Sequence, residues 1–328
     1  MADIPKLDLA RYQSGQMSAD EQQRMLAALA RACEDHGFFL LVGHDCEVLI
    51  EAVFRECREF FALPRAQKLA VARDAHNPLG YFDRELTKQK RDQKEVFDFK
   101  TGGHQSARPE RQSRWPQGGD TFRAVLTEFF CTFTQLAETT TRVVLQALGL
   151  SAAQVAQTLA AGFGERHTSA ARLNFYPYDD PVPTAERTVV NALGDMALHH
   201  HTDPGALTLL LQDARGGLQA YSKREGWVDV PPEPGTIVVN IGDVLQVWTN
   251  DRCVAGVHRV VPISHPQGRY SIPFFYQPSF DAEISPWLAP GETARYRSFS
   301  WRDYIHARVT DNFSDVGEDD IQISRFAL

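Results

Sequence analysis

Apolar residues recur at helical spacing in three stretches of the first half of the chain, and each stretch predicts an amphipathic helix. The first helix starts at Ser18, which opens a Ser-x-x-Glu capping box. The second ends before Pro64, and the third covers about 120–148. We therefore predict a mainly helical region over residues 1–165, with a loop-rich stretch at 74–120 where the periodicity is lost and glycine and proline accumulate.

The second half of the chain consists of short runs rich in β-branched and aromatic residues, separated by proline, glycine, asparagine and aspartate. Eight strands are predicted, at 170–176, 188–193, 206–211, 218–221, 236–240, 244–249, 256–261 and 269–276. This number and spacing are typical of a double-sheet jelly roll. The sequence thus predicts an α+β fold in one domain over 1–328: a double-stranded β-helix (jelly-roll) core at 166–280, flanked by the N-terminal helices and followed by a C-terminal helical tail at 281–328.

Charge and cysteine content exclude several classes of protein. The chain has 42 acidic and 34 basic residues and no dense Lys/Arg block, so we do not expect it to bind nucleic acid. No apolar run of about 18 residues is present and the N-terminus has no leader-like pattern, which predicts a cytoplasmic protein without a membrane span. Five cysteines without a C-x-x-C pair argue against a disulfide framework or a zinc site. None of these features predicts an oligomeric state.

A His-x-Asp motif, His201 and Asp203, is followed 55 residues later by His258. Two histidines and one carboxylate occupy one face of an octahedral iron and leave three positions open. Residues two apart on a strand project to the same side, so His201 and Asp203 can reach one ion and a histidine on a neighbouring strand can complete the set. The motif alone is short and occurs by chance, so the prediction of an iron site depends on its surroundings.

Arg269 and Ser271 follow as a second pair at strand spacing. An arginine fork beside a hydroxyl is a good receptor for a carboxylate. The alternative interpretation is a structural arginine that is satisfied by an internal acid.

Longer motifs around these residues extend along nearly the whole chain in order. They are HGFFLLVGH (36–44), KEVFDF (94–99), RLNFYP (172–177), HTDPGALTLLLQD (201–213), NIGDVLQVWTND (240–251) and RYSIPFF (269–275). With these motifs the chain resembles the plant and microbial iron(II)/2-oxoglutarate oxygenases, the isopenicillin N synthase-like family that includes flavonoid oxygenases and gibberellin oxidases.

The resemblance implies a set of roles for individual residues. His201, Asp203 and His258 would be the catalytic iron ligands, and Arg269 and Ser271 would clamp the distal carboxylate of 2-oxoglutarate. Asn174 and Tyr176 match positions that also reach this co-substrate in flavonoid oxygenases.

The implied function is iron(II)- and 2-oxoglutarate-dependent oxidation of a small molecule by O2, through a ferryl intermediate, with hydroxylation, desaturation or ring closure as the outcome. One alternative is an isopenicillin N synthase-like oxidase that uses iron(II) and O2 without 2-oxoglutarate. A second alternative is a non-catalytic jelly-roll protein that binds iron or a small acid.

Four further residues are candidates for contact with the substrate. Arg172 and Phe275 match positions that line the substrate pocket in flavonoid relatives, and Tyr81 and Phe97 are predicted from the irregular N-terminal region. These residues suggest an aromatic or carboxylated substrate. The other interpretation is that Phe275 belongs to the core and that Arg172 pairs with an acid.

Overall fold

The helices of the first half form where the apolar spacing predicts them. The computed structural model describes residues 4–101, 112–164, 167–313 and 321–328. The predicted capping box at Ser18 is confirmed, because its hydroxyl accepts from the Glu21 amide and the Glu21 side chain accepts from the Ser18 amide. The α-helices are α1 Leu9–Gln13, α2 Ala19–Asp35, α3 Glu47–Phe61, α4 Arg65–Leu69, α5 Asp120–Ala147, α6 Ala152–Gly162, α7 Asp243–Trp248 and α8 Trp301–Phe313.

Two main sheets face each other, which confirms the predicted α+β fold. The strands are β1 Lys6–Asp8, β2 Phe38–Val42, β3 Gly80–Phe82, β4 Leu86–Thr87, β5 Lys90–Arg91, β6 Glu95–Phe99, β7 Ala170–Tyr176, β8 Leu198–His201, β9 Leu207–Gln212, β10 Leu218–Ser222, β11 Gly226–Asp229, β12 Ile237–Ile241, β13 His258–Val260, β14 Arg269–Tyr276, β15 Glu283–Ile284 and β16 Phe299–Ser300. The major sheet has eight strands in the order β1-β2-β12-β9-β14-β7-β6-β3, and the minor sheet has four in the order β11-β10-β13-β8. The pairs β15-β16 and β4-β5 form two small sheets.

The strands of the major sheet separate an apolar core on one face from a polar face on the other. On β14, Phe274 is fully buried against α5, with its ring centroid 5.2 Å from that of Phe130. The neighbouring Phe275 points to the opposite face, as alternation along a strand requires. Burying a phenylalanine side chain stabilises a fold by roughly 1.5–3 kcal/mol, so α5 and its aromatic stripe hold the sheet in place.

Several elements differ from the prediction. The stretch 244–249 lies largely in helix α7, not in a strand. The sequence could not distinguish the two, because a short buried element is apolar on all sides in either conformation. The stretch 188–193 contains the end of a 3-10 helix, Thr184–Val189, and no strand. Strands β8 and β11 were not predicted, since neither is rich in β-branched residues.

The stretch 74–120 contributes more structure than its sequence pattern suggests. Strands β3 and β6 lie there and extend the edge of the major sheet beyond β7, while 102–111 lie outside the described residues. The C-terminal region has α8 and a short 3-10 helix, Ile323–Phe326, together with β15 and β16. Residues 314–320 are not among those described. Of the helices that are described, none combines the length and apolarity needed to cross a membrane.

Candidate active site

Three side chains with metal-binding atoms converge between the two sheets. His201 ends β8 and His258 begins β13, and the antiparallel register places them directly opposite each other, with ring centroids 4.3 Å apart. Asp203 lies in the loop after β8 rather than on the strand, which corrects the predicted same-strand geometry. One ligand atom from each of the three residues lies within 4.8 Å of the others. Two imidazole nitrogens and one carboxylate at this spacing fit the donor set of a mononuclear iron(II) site.

Hydrogen bonds to the backbone orient the two imidazoles. His201 Nδ1 lies 2.9 Å from the carbonyl oxygen of His199, and His258 Nδ1 lies 2.9 Å from that of Gly256. With Nδ1–H donating to a carbonyl, each Nε2 carries the free lone pair that a metal requires. Burial and the adjacent His258 lower the pKa of His201 to about 3, so its imidazole is neutral at physiological pH.

The carboxylate of Asp203 is held by two polar side chains of the major sheet. Its Oδ2 accepts hydrogen bonds from Thr208 Oγ1 at 2.6 Å and from Asn240 Nδ2 at 2.9 Å. Burial opposes ionisation of this carboxyl, yet His258, His201 and the two hydrogen bonds together lower its pKa below the ordinary value. Asp203 is therefore an anion with one fixed oxygen. Thr208 and Asn240 did not stand out in the sequence, because polar residues in buried strands have no spacing signature.

A buried arginine without a carboxylate partner lies at one end of the same cavity. Arg269 is 1% exposed, and its Nε and Nη1 have no hydrogen-bond partner in 4–101, 112–164, 167–313 or 321–328. Its Nη2 donates to Gln212 Oε1, at 3.4 Å. Among the residues that the structure describes, no acid forms an ion pair with Arg269. The interpretation as a structural arginine satisfied by an internal acid therefore does not hold.

The residues predicted to accompany Arg269 surround it. Asn174 Nδ2 donates to Ser271 Oγ at 3.3 Å, and no donor in the described part of the chain reaches Asn174 Oδ1. The guanidinium of Arg269 lies 5.1 Å from the centroid of the Tyr176 ring. A guanidinium, a hydroxyl and an amide are thus grouped in a buried pocket that fits the carboxylate of a bound dicarboxylic acid.

The metal-binding residues and the Arg269 pocket line one cavity of about 1030 Å³, which lies between the sheets. Alternate residues of β7 and β14 form its floor, at 170, 172, 174 and 176 and at 269, 271, 273 and 275. Leu198 and Val260 line it from the minor sheet. This volume is at the upper end for ligand pockets, and it has room for a co-substrate and a second small molecule together.

Arg172 lines the cavity but is already bound by two acids. Its Nε donates to Asp98 Oδ1 at 2.7 Å, and its Nη1 donates to Glu85 Oε2 at 2.7 Å. Lys94 also pairs with Glu85, at 2.8 Å. These contacts agree with the alternative interpretation, in which Arg172 pairs with an acid. Phe275 lines the cavity, as the pocket prediction requires.

The prediction that Tyr81 and Phe97 contact the substrate is corrected by the structure, because neither residue lines the cavity. Tyr81 is 1% exposed and donates to Glu95 Oε2 at 2.7 Å. Phe97 is fully buried, and its ring centroid lies 4.8 Å from that of Phe60 in the apolar core. On β6 the alternation places Phe97 towards α5, whereas Asp98 faces the cavity.

The C-terminal helix reaches the metal-binding loop through Arg308. Its Nη2 donates to the carbonyl oxygen of Thr202 at 2.6 Å, and its Nη1 donates to that of Ile321 at 2.7 Å. Thr202 lies between two of the metal-binding residues, so Arg308 fixes the backbone of that loop. No sequence pattern signals this contact, because it joins residues more than 100 positions apart.

Comparisons with known proteins agree with this geometry. The model for the 2OG-Fe(II) oxygenase superfamily matches residues 167–278, and the model described as non-haem dioxygenase in morphine synthesis N-terminal matches residues 4–118. The chain is 33% identical to gibberellin 3-beta-dioxygenase 2-3 of Triticum aestivum over 86% of its own length and 75% of that protein. It is 30% identical to homoarginine-6-hydroxylase 2-ODD-233 of Oryza sativa subsp. japonica, over 94% of its own length and 97% of that protein.

Among solved structures, the chain is similar to a full-length protein of Neurospora crassa in complex with alpha-KG (2-oxoglutarate) and thymine. The TM-score is 0.76 and the sequence identity is 25%, over 94% of this chain and 98% of that one.

Proposed function

Since the chain belongs to the 2OG-Fe(II) oxygenase superfamily, we propose that His201, Asp203 and His258 hold its iron and that Arg269 and Ser271 hold its 2-oxoglutarate. The protein is an iron(II)- and 2-oxoglutarate-dependent dioxygenase that uses O2 and acts on a small molecule. The observation that carries the residue assignment is the buried Arg269, which pairs with no acid that the structure describes and lies in the same cavity as the three metal-binding side chains.

In this assignment each residue has a defined task. When bound, the iron with 2-oxoglutarate and O2 supplies the oxidation of an unactivated C–H bond. The imidazoles of His201 and His258 and the carboxylate of Asp203 would hold the metal through three donor atoms, a set that leaves coordination positions for other ligands. Arg269 fixes the distal carboxylate of 2-oxoglutarate away from water, where charge pairing is strong. Asn174 and Tyr176 complete that pocket.

The isopenicillin N synthase-like alternative and the non-catalytic alternative receive no support from the relatives, which are dioxygenases, or from the similar structure that contains 2-oxoglutarate. An oxidase that receives only its substrate would need one carboxylate receptor in the cavity. The Arg269 pocket is a receptor for the co-substrate in our proposal, and the substrate then requires separate contacts.

The cytoplasmic location remains a prediction from the sequence alone.

We further propose that the substrate is a charged small molecule with a carboxylate, and that Phe275 contacts its apolar part. One basic side chain beyond Arg269, that of Lys100, lines the cavity beside β6 and forms no ion pair with the acids that the structure describes, whereas Lys94 and Arg172 pair with Glu85. Gibberellin and homoarginine, which appear in the names of the two relatives, are both carboxylic acids, whereas thymine is not. Succinate release measured with these three compounds tests the class, and we expect turnover with an acid and none with thymine.

The experiment that tests the co-substrate is an anaerobic titration of the iron(II)-loaded protein with 2-oxoglutarate. Chelation of iron by 2-oxoglutarate produces a visible metal-to-ligand charge-transfer band, so we expect this band to rise and saturate. The Asp203→Asn variant is the control, since it loses the only anionic ligand and should show no band. Iron binding without a band in the unmodified protein would contradict the co-substrate assignment.

A further inference from the structure

The cavity contains a second basic side chain that pairs with none of the acids in the described part of the chain. Lys100 lines the cavity and its Nζ donates to the carbonyl oxygen of Thr168. Of the side chains that the structure describes, no carboxylate forms an ion pair with this ammonium group. The neighbouring cations differ, since Arg172 and Lys94 each pair with Glu85.

The nearest acid along the strand is already occupied. Asp98 lies two residues before Lys100, and both of its oxygens accept from Arg172, at 2.7 Å and 3.0 Å. Burial lowers the pKa of Lys100 to about 8, and the negative charge of Asp98 only partly opposes this effect. A second anion beside Lys100 would offset the desolvation of its ammonium group.

The sheet register places Lys100 well away from the Arg269 pocket. Lys100 directly follows β6, whose last residue, Phe99, pairs with Ala171 of β7. The next residue of β7 towards its start, Ala170, pairs with Phe275 of β14, six residues along the chain from Arg269. At about 3.3 Å per residue, the backbone positions of Lys100 and Arg269 are separated by roughly 20 Å along the strands.

The same register places Lys100 across the sheet from the metal-binding residues. Phe275 of β14 also pairs with Thr208 of β9, whose hydroxyl binds Asp203. Three strand spacings lie between β9 and β6, which is about 14 Å. Phe275 and Pro273 line the floor between these strands. A molecule that spans this distance has an apolar middle section and carries its charge away from the carbon that faces the metal.

We propose that Lys100 is the receptor for the carboxylate of the substrate and determines the choice of acids over their neutral analogues. The inference rests on the proposed function, because it identifies how the same cavity recognises its substrate. Lys100 touches neither the metal ligands nor the co-substrate pocket, so its role is substrate specificity.

The test is a calorimetric titration of the full chain with matched acids and amides. The probes are acetate and acetamide, benzoate and benzamide, and indole-3-acetate and its amide. The protein is loaded with iron(II) and 2-oxoglutarate without oxygen, so that the Arg269 pocket is filled. We compare the unmodified protein with Lys100→Gln and with Lys223→Gln, which removes the same charge from an exposed lysine.

We expect at least one acid to bind the unmodified protein tenfold or more tightly than its amide, because the amide cannot pair with the ammonium group. This preference should persist in Lys223→Gln, disappear in Lys100→Gln and be partly kept in Lys100→Arg. Equal binding of acids and amides by the unmodified protein, or an unchanged preference in Lys100→Gln, would overturn the proposal.

Failure of this inference is distinct from failure of the proposed function. If 2-oxoglutarate gives no charge-transfer band, the iron and co-substrate assignment fails. The same acid and amide titrations on metal-free Arg269→Met, with and without Lys100→Gln, then still test Lys100, because the second carboxylate receptor of the cavity has been removed. If the band forms normally and the Lys100→Gln variant retains its preference for acids, only the role of Lys100 is wrong.

Discussion

Replacement of Arg269 by methionine should weaken 2-oxoglutarate binding and stabilise the protein that lacks it. Arg269 is 1% exposed, and two of its guanidinium nitrogens have no hydrogen-bond partner among the residues described. Leaving a carboxylate without its buried charged partner costs ~2–5 kcal/mol. Since 1.4 kcal/mol is a factor of ten, the Kd for 2-oxoglutarate should rise by roughly 30-fold to several thousandfold.

The effect on folding should have the opposite sign. A buried donor without a partner costs ~1–3 kcal/mol of stability, and methionine fills a similar volume without polar atoms. The Arg269→Met variant without 2-oxoglutarate should therefore unfold at a higher urea concentration than the unmodified protein. Both quantities follow from one cause, namely a charge that is kept unpaired until the co-substrate arrives.

Two assays separate these effects. The anaerobic charge-transfer titration gives the Kd for 2-oxoglutarate, and urea unfolding without metal and co-substrate gives the free energy of unfolding. Arg224→Met is the matched control, because the Arg224 side chain is 79% exposed and should change neither quantity. Unchanged 2-oxoglutarate affinity together with reduced stability in Arg269→Met would show that Arg269 is an ordinary structural residue and refute the reasoning.

Four further predictions concern other parts of the cavity. Asp203→Asn should lower iron stoichiometry while the far-UV circular dichroism spectrum stays the same; full iron occupancy would contradict the ligand assignment. Arg308→Met should weaken iron(II) binding by releasing the Thr202 carbonyl, and an unchanged iron Kd would mean that the loop is held without it. Arg172→Met should cost ~1.5–3 kcal/mol of unfolding free energy, because Glu85 and Asp98 lose one charged hydrogen-bond donor while Arg73 still pairs with both acids and Lys94 with Glu85; unfolding at the same urea concentration would contradict this. Burial lowers the pKa of Lys100 to about 8 from an ordinary 10.5. Below pH 8 the folded protein therefore bears the full free-energy cost of a buried ammonium group. Between pH 8 and pH 10.5 only the unfolded chain keeps this proton, so the cost falls as pH rises. Lys100→Met should therefore be more stable than the unmodified protein below pH 8 and lose this advantage towards pH 10.5, as measured by urea unfolding; a constant difference would contradict the pKa shift.

The features that could be predicted from the sequence are those with a local pattern. The capping box at Ser18 and the apolar stripe of α5 can be read because helix formation depends on neighbours three and four residues apart. The metal-binding residues could be predicted from His-x-Asp only together with the longer motifs around it. His201 itself ends a strand, β8, with the sequence LHHH, which has no β-branched residue and therefore carries no strand signal.

The features that could not be predicted from the sequence depend on pairing between segments that are distant along the chain. Phe97 and Asp98 are neighbours, and only the register of β6 against β7 decides which one faces the cavity. Lys100 belongs to the same alternation, so its place in the cavity could not be assigned without that register. The sequence left open whether Arg172 contacts the substrate or pairs with an acid, because Glu85, which binds it, lies 87 positions away.

The two regions that match separate family models share one sheet, and this has a consequence for recombination between relatives. Strand β2 of the N-terminal region pairs with β12, and β6 pairs with β7, so N-terminal strands lie on both sides of the strands from 167–278. We propose that 1–328 is one folding domain for this reason. A fragment limited to 167–278 would expose the hydrogen-bonding edges of β12 and β7 and should aggregate. A chimaera that exchanges the N-terminal region should fold only if the donor segment reproduces both strand registers.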